Sequence, residues 1–438
     1  MKLNKTRSSI WVAAMIAVIA IVFIWLTAYS TRKAARGDVS DFQAYYVAAQ
    51  ALCNHTDPYF FSEKPYIYPP LFATLCMPLT SFSIETAATL YLPLLVAAVL
   101  LSLFWGAREI MDRFNLRAEG ILIGSVALIT LLIMEDRIKS DLQMFQVNSL
   151  LMALLTLSLR WLDRRPVCSG AALGLAMNIK VFPLIMLPYL LFRRRWVAAG
   201  AMVASTAVFG LLPALALGWK TNLQYLAQSS GGFLSLLGVQ THVGGQKAQI
   251  KDVTASYSVS ITSGMARIAG PDHALLAWVV VVIALVGSFA FGIWAYRRAG
   301  RMGFRWPDRI EQQTQPWRAI IAMEWATLIA IALIFSPQTN SRHLLMVTTL
   351  ATLAAVMLLK SYRKPGWGLV LAGTALLWAA LTLPPGNHNV RLLHDAHVVW
   401  QFIGGPSWVL LAALGPLVWG GFVVIRNMTR PETEQPHQ

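Results

Sequence analysis

A chain of 438 residues that is 56% hydrophobic and only 13% charged is too apolar for a water-soluble enzyme of this size and reads as a polytopic membrane protein. Its formal net charge of +16 lies in Lys and Arg clusters between apolar stretches, with no basic groove carrying interleaved aromatics. The charge is therefore read as membrane topology against an anionic inner leaflet, and nucleic acid is excluded as a partner.

About twelve apolar stretches follow in order, near 10–30, 84–106, 119–134, 144–161, 168–179, 181–192, 196–218, 273–296, 319–335, 343–360, 367–383 and 405–425. The first follows a short basic segment, as a signal peptide would. Its apolar run is long, and no small-x-small cleavage site precedes Arg32-Lys33, so it is read as a retained span. With a cytoplasmic N-terminus the Arg/Lys clusters fall inside at alternate turns, which puts 31–83 and 219–272 outside and the basic loop 297–318 inside. One membrane domain, 1–430, with a polar, disordered tail, 431–438, accounts for the chain.

The first outer segment carries Gly37-Asp38-Val39-Ser40-Asp41-Phe42-Gln43-Ala44-Tyr45-Tyr46, then Asp57-Pro58-Tyr59 and Tyr66-Ile67-Tyr68-Pro69-Pro70. Ser40-x-x-Gln43 reads as a capping box opening a helix from Asp41 to about Leu52, and Pro69-Pro70 opens a second short helix through Leu79. Asp41 in a first helical turn serves either as a general base close to an acceptor hydroxyl or only as a charge favoured by the helix dipole. The aromatics, Tyr45, Tyr46 and Tyr68 among them, either line a sugar or prenyl site or form an interfacial belt. Cys53 and Cys76 share this segment; they could pair on an oxidising face or remain two packed thiols.

Farther on, the charged run Glu135-Asp136-Arg137 with Lys139 is read as a further outer cluster in a short loop, either functional or simply solvated. Lys180 sits between two stretches too short to span alone, just before Phe182-Pro183. A broken helix there aims Lys180 at a polar cavity; the alternative is snorkelling to an interface. Ser336-Pro337 and Arg342-His343 form a third outer cluster. Arg342 suits phosphate and His343 can donate from either ring nitrogen, while a capped helix start is the plainer reading. The histidines have no metal-set spacing, and no nucleotide-binding loop or internal repeat is present.

Three segments resemble glycosyltransferase family 87, membrane mannosyltransferase-like enzymes of GT-C type. They are Asp41 to Tyr46 with Asp57-Pro58-Tyr59 and Tyr68-Pro69-Pro70-Leu71; Gln146-Val147-Asn148-Ser149-Leu150 with Ser169 to Ala176, Lys180, Pro183 and Arg193 to Trp196; and Ser336-Pro337 with Arg342-His343. The resemblance implies an all-α GT-C bundle that transfers a sugar, often mannose, from a polyprenyl phosphate to an outer-face glycan or glycolipid hydroxyl. It implies inversion, Asp41 as base, and no metal or other cofactor. Lys180, Arg342, His343, Tyr45, Tyr46, Tyr68, Gln146 and Asn148 are the expected substrate contacts. The setting is a bacterial-type plasma membrane, with the site on the non-cytoplasmic face. A transporter or flippase of lipid-linked saccharides is the rival reading. Phe145 departs from the family pattern, which has Gly before the Gln-x-Asn, and so does Arg342 before His343.

Overall fold

The computed structural model describes residues 5–39, 41–59, 66–236, 253–300, 315–383 and 391–429. The expected Ser40 cap, most of the Gly-rich part of 219–272, most of 297–318 and the tail 431–438 lie outside these. The helices run α1 Lys5–Ala35, α2 Phe42–Cys53, α3 Pro70–Cys76, α4 Ile84–Arg113, α5 Gly120–Gln143, α6 Asn148–Trp161, α7 Pro166–Ile179, α8 Met186–Phe192, α9 Trp196–Leu211, α10 Ala214–Leu217 and α11 Trp219–Leu236. After them come α12 Ile261–Ala269, α13 Ala274–Gly300, α14 Gln315–Phe335, α15 Thr348–Ser361, α16 Trp367–Thr382, α17 Arg391–Phe402 and α18 Gly405–Thr429. Among the described residues only an isolated bridge, Ser258 to Asn340, is β-like.

Among the described residues seven helices are long and apolar enough to cross a membrane, and four shorter apolar helices accompany them. The protein is an integral membrane protein of all-α architecture, as composition implied. The charged run 135–139 is not a loop: α5 continues through it to Gln143. There Arg137 is largely buried and donates to the Leu381 and Ser341 carbonyls.

The chain divides into two compact units. One comprises Met1–Val18, Leu103–Arg137 and Val253–Gln438; the other comprises Ile19–Ser102 and Ile138–Asp252. In the first, α18 packs against α14 and α16. A Cβ on Gly373 would stand 2.7 Å from Leu417 Cγ, so small residues set that approach. Arg267 there donates to four backbone carbonyls, those of Phe402, Ala255, Ser258 and Gln401.

In the second unit α7 lies against α9. A Cβ at Gly170 would meet the Ala198 carbonyl at 2.2 Å, and one at Gly174 would meet Ser205 Oγ at 2.0 Å. Only glycine permits this contact. The helix stops at Lys180, whose backbone is extended (φ −157°, ψ 137°), before a 3-10 turn over Phe182–Ile185 and α8. The broken helix expected around Lys180 is present. The two helices expected within 31–83 also form: α2 follows Asp41, and α3 starts at Pro70 and gives way to a 3-10 turn, Met77–Ser81. Their core is aromatic. Phe42 stacks on Tyr91 at 5.3 Å, Tyr45 meets Phe72 edge-on at 5.1 Å, and Tyr66 meets Tyr68 at 5.6 Å. Each such pair adds about 0.5–1.5 kcal/mol beyond its buried area. Cys53 and Cys76 do not pair; Cys53 is exposed with its sulfur 3.5 Å from Thr80 Oγ1, and Cys76 is buried.

Candidate active site

The site in the second unit is built on the way α5 ends. Phe145 takes a left-handed backbone (φ 54°), its N–H reaching the Leu142 carbonyl and the Gln146 N–H reaching Asp141 O. This is the Schellman stop, whose left-handed position normally falls to glycine. Phe145 holds it because its ring is wholly buried. The stop reverses the chain within a few residues, so that Asp141, Gln146 and Asn148 come together where α6 starts.

Asp41 is the N-cap of α2, one residue before the helix proper, and its side chain caps nothing. It instead accepts a hydrogen bond from Gln146 Nε2 onto Oδ2. Gln146 Oε1 accepts from Asn148 Nδ2 at 3.2 Å, and Asn148 Oδ1 accepts from Lys180 Nζ at 3.0 Å. Lys180 also stands over the Tyr68 ring, 5.7 Å from its centroid. A base candidate and a cation candidate from separate elements are thus joined through two amides. Burial, then the Asp41 charge, push the Tyr68 phenol up to about 12, with a hydrogen bond from Tyr45 opposing. Tyr68 therefore remains a hydroxyl donor. Tyr45, also shifted up by burial, packs beneath it at 6.0 Å between ring centres.

Other expected residues make contacts of their own. Tyr46 is buried and its hydroxyl donates to the Phe82 carbonyl at 2.7 Å, which ties α2 to the start of α4. Asp38 pairs with Lys33 at 3.3 Å, and Lys33 also donates to Gln143 O at 3.3 Å, pinning the segment after α1 to the end of α5. Arg342 and His343 belong to the first unit. There Asn340 Oδ1 accepts both their backbone N–H groups, at 3.0 and 3.2 Å, and His343 Nδ1 accepts the Asn340 N–H: a capping box starting a 3-10 helix, Ser341–Val347.

One residue of the network, Asp141, escaped the sequence reading. Asp141 is fully buried; its Oδ1 accepts from Asn148 Nδ2 at 3.0 Å and its Oδ2 from the Ser149 N–H at 3.1 Å and the Ser149 hydroxyl. Burial pushes this carboxyl up to about 7, while the Ser149 and Asn148 bonds and the Lys180 charge pull it down. The available signal was a lone acidic residue just ahead of the Gln-x-Asn. Among the described residues no group of three or more His, Cys, Asp or Glu is placed to hold a metal ion.

The family model for glycosyltransferase family 87 matches residues 66–306, more than half of the chain. The chain belongs to glycosyltransferase family 87. It is a membrane glycosyltransferase, and Gln146, Asn148 and Lys180 fall within the matched residues while Asp41 precedes them. The sequence is 27% identical to a polyprenol-phosphate-mannose-dependent alpha-(1-2)-phosphatidylinositol mannoside mannosyltransferase of Mycolicibacterium smegmatis, over 83% of this chain and 75% of that one. It is 28% identical to the protein of the same description from Mycobacterium tuberculosis, over 83% and 78%. Among solved structures, ArnT from Cupriavidus metallidurans bound to undecaprenyl phosphate aligns over 95% of this chain and 76% of its own, with 14% identity and a TM-score of 0.44.

Proposed function

We propose that this enzyme transfers a mannosyl group from a polyprenyl-phosphate donor to a hydroxyl of a glycan or glycolipid at the outer face of a bacterial-type plasma membrane, with inversion. The observation that carries the reading is the hydrogen-bonded run from Asp41 through Gln146 and Asn148 to Lys180. Asp41 takes the proton of the acceptor hydroxyl as its oxygen attacks the anomeric carbon. The bond from that carbon to the phosphate oxygen breaks, and the phosphate leaves with the electron pair. Its charge grows from −1 to −2, so a cation beside it stabilises the transition state more than the ground state. Lys180 supplies that cation, and its place at a break in a membrane helix is where an ionisable group is retained for function. Tyr68 supplies a hydroxyl donor at the same place. No proton needs to reach the leaving group, so one carboxylate suffices as base. The donor class follows the relatives' descriptions, which the family membership supports.

The test uses purified protein in lipid nanodiscs with labelled polyprenyl-phosphate-mannose and a panel of glycolipid acceptors. Label should move to an acceptor, with the anomeric configuration opposite to the donor's. Movement of intact donor across a vesicle bilayer without transfer would replace this reading with the transporter one. A retained configuration would remove the single-displacement mechanism.

A further inference from the structure

Asp141 has no part in the chemistry above, yet it is fully buried and hydrogen-bonded within the network. Both of its oxygens accept. One faces a donor that cannot change sign, the Ser149 backbone N–H, and the other faces the Asn148 amide. Asn148 is fully buried and cannot exchange partners with water. An amide is ambiguous by shape and is oriented by its neighbours. With its Nδ2 drawn to Asp141 and Gln146 Oε1, Asn148 has its Oδ1 left for the Lys180 ammonium. Reversed, it would set an NH2 against an ammonium, donor against donor. The same orientation reaches Gln146: its Oε1 is occupied, so its Nε2 is the end that faces Asp41.

We propose that Asp141 is a positioning residue for the transfer: by fixing the direction of the Asn148 amide it holds the Lys180 ammonium for the donor phosphate and the Gln146 amide for Asp41. This rests on the reading of Lys180 as the phosphate-binding cation.

The proposal predicts the outcome of exchanging the two side chains. In Asp141→Asn the Ser149 N–H demands an oxygen, so the new amide must turn its NH2 toward Asn148. Asn148 then reverses and opposes Lys180. The KM for polyprenyl-phosphate-mannose should rise at least about tenfold, the loss of one charge-assisted contact, while the acceptor KM stays near wild type. Asn148→Asp alone sets two carboxylates face to face and should also weaken donor use. Asp141→Asn combined with Asn148→Asp restores complementarity: the amide at 141 donates to the carboxylate at 148, which accepts from Lys180. The donor KM should return to within a few fold of wild type. The kcat should stay low, because Gln146 has lost the donor on its Oε1. A side chain needed only for folding would give losses that add, with no such recovery and no split between KM and kcat.

All four proteins are measured in nanodiscs, with thermal unfolding recorded for each. If either single variant fails to fold, the folded double variant decides by its donor KM. A double variant as impaired as the sum of its parts, or one that does not fold, overturns the proposal. The two readings fail differently. If wild-type protein transfers no mannose from this donor, or if Lys180→Met leaves donor affinity unchanged, the assignment of the site is wrong. If wild type is active, Lys180→Met is impaired and the swap shows no recovery, only the role of Asp141 falls.

Discussion

Lys180 and the turn at Asn340–His343 present the same sequence signal, a cation among polar residues between apolar helices, and the fold uses them differently. Around Lys180 the polar side chains bond to one another across long stretches of chain: Gln146 to Asp41, Lys180 to Asn148. At 340–343 the Asn340 and His343 side chains turn back on the local backbone and complete a cap. A cap satisfies the N–H groups a helix start leaves orphaned, which accounts for the Asn340 side chain and for His343 Nδ1. A buried run of side chains joining a carboxylate to an ammonium costs desolvation and serves no helix end, so it calls for a functional account. The lesson is that where a polar residue's hydrogen bonds go discriminates better than its type.

The comparison can be broken at either end. The largest effect is expected at Asp41. Asp41→Asn keeps shape but cannot take the proton, and turnover should fall by at least about a hundredfold in a steady-state transfer assay, with donor affinity retained. Near-normal turnover would reduce Asp41 to a helix-start charge. Lys180→Met should weaken donor binding about ten- to more than a hundredfold, read as KM for the labelled donor.

Acidity should act next. Asp141, whose carboxyl is pushed up to about 7, faces Lys180, Tyr45 and Tyr91. As pH falls from 8 to 6 it gains a proton, one oxygen ceases to accept, and the donor KM should rise by roughly tenfold; in Asp141→Asn this dependence should vanish. Stability should move the opposite way. The folded value lies above the ordinary carboxylate value, so the Asp141 contribution to folding is full at low pH and declines as pH rises through about 7. A donor KM flat across that range would mean that the Asp141 proton does not reach the site. The smallest effect belongs to the cap. Asn340→Ala should lower stability by about 1 kcal/mol in thermal unfolding and leave donor KM unchanged. A large loss of donor affinity at unchanged stability would place the 340–343 turn among the binding groups.

Much of this was legible in the sequence. The apolar runs gave the membrane helices, Pro70 the start of α3, and Phe182-Pro183 the break beside Lys180. Asp41, Gln146, Asn148 and Lys180 were all on the page, because motif residues stay recognisable wherever they meet. What was hidden depended on the path of the chain. The run 135–139 looked like a loop because charge suggests water, yet α5 carries it and Arg137 finds carbonyl partners 204 and 244 residues away. Asp141 was overlooked for the same reason. Phe145 read as a departure from a family glycine; the structure shows it keeping the left-handed turn, a backbone cost of roughly 1–2 kcal/mol offset by a buried ring. Tyr46 looked equivalent to Tyr45 and Tyr68 until the helix turned it toward Phe82.

The most direct test of the central claim is a structure of the protein in nanodiscs with polyprenyl phosphate bound. A phosphate oxygen should stand within hydrogen-bond distance of Lys180 Nζ and near the Tyr68 hydroxyl, with the Asp41 carboxylate open on the side from which an acceptor would approach. Phosphate bound elsewhere, with Lys180 still directed at Asn148 and no lipid beside it, would contradict the account.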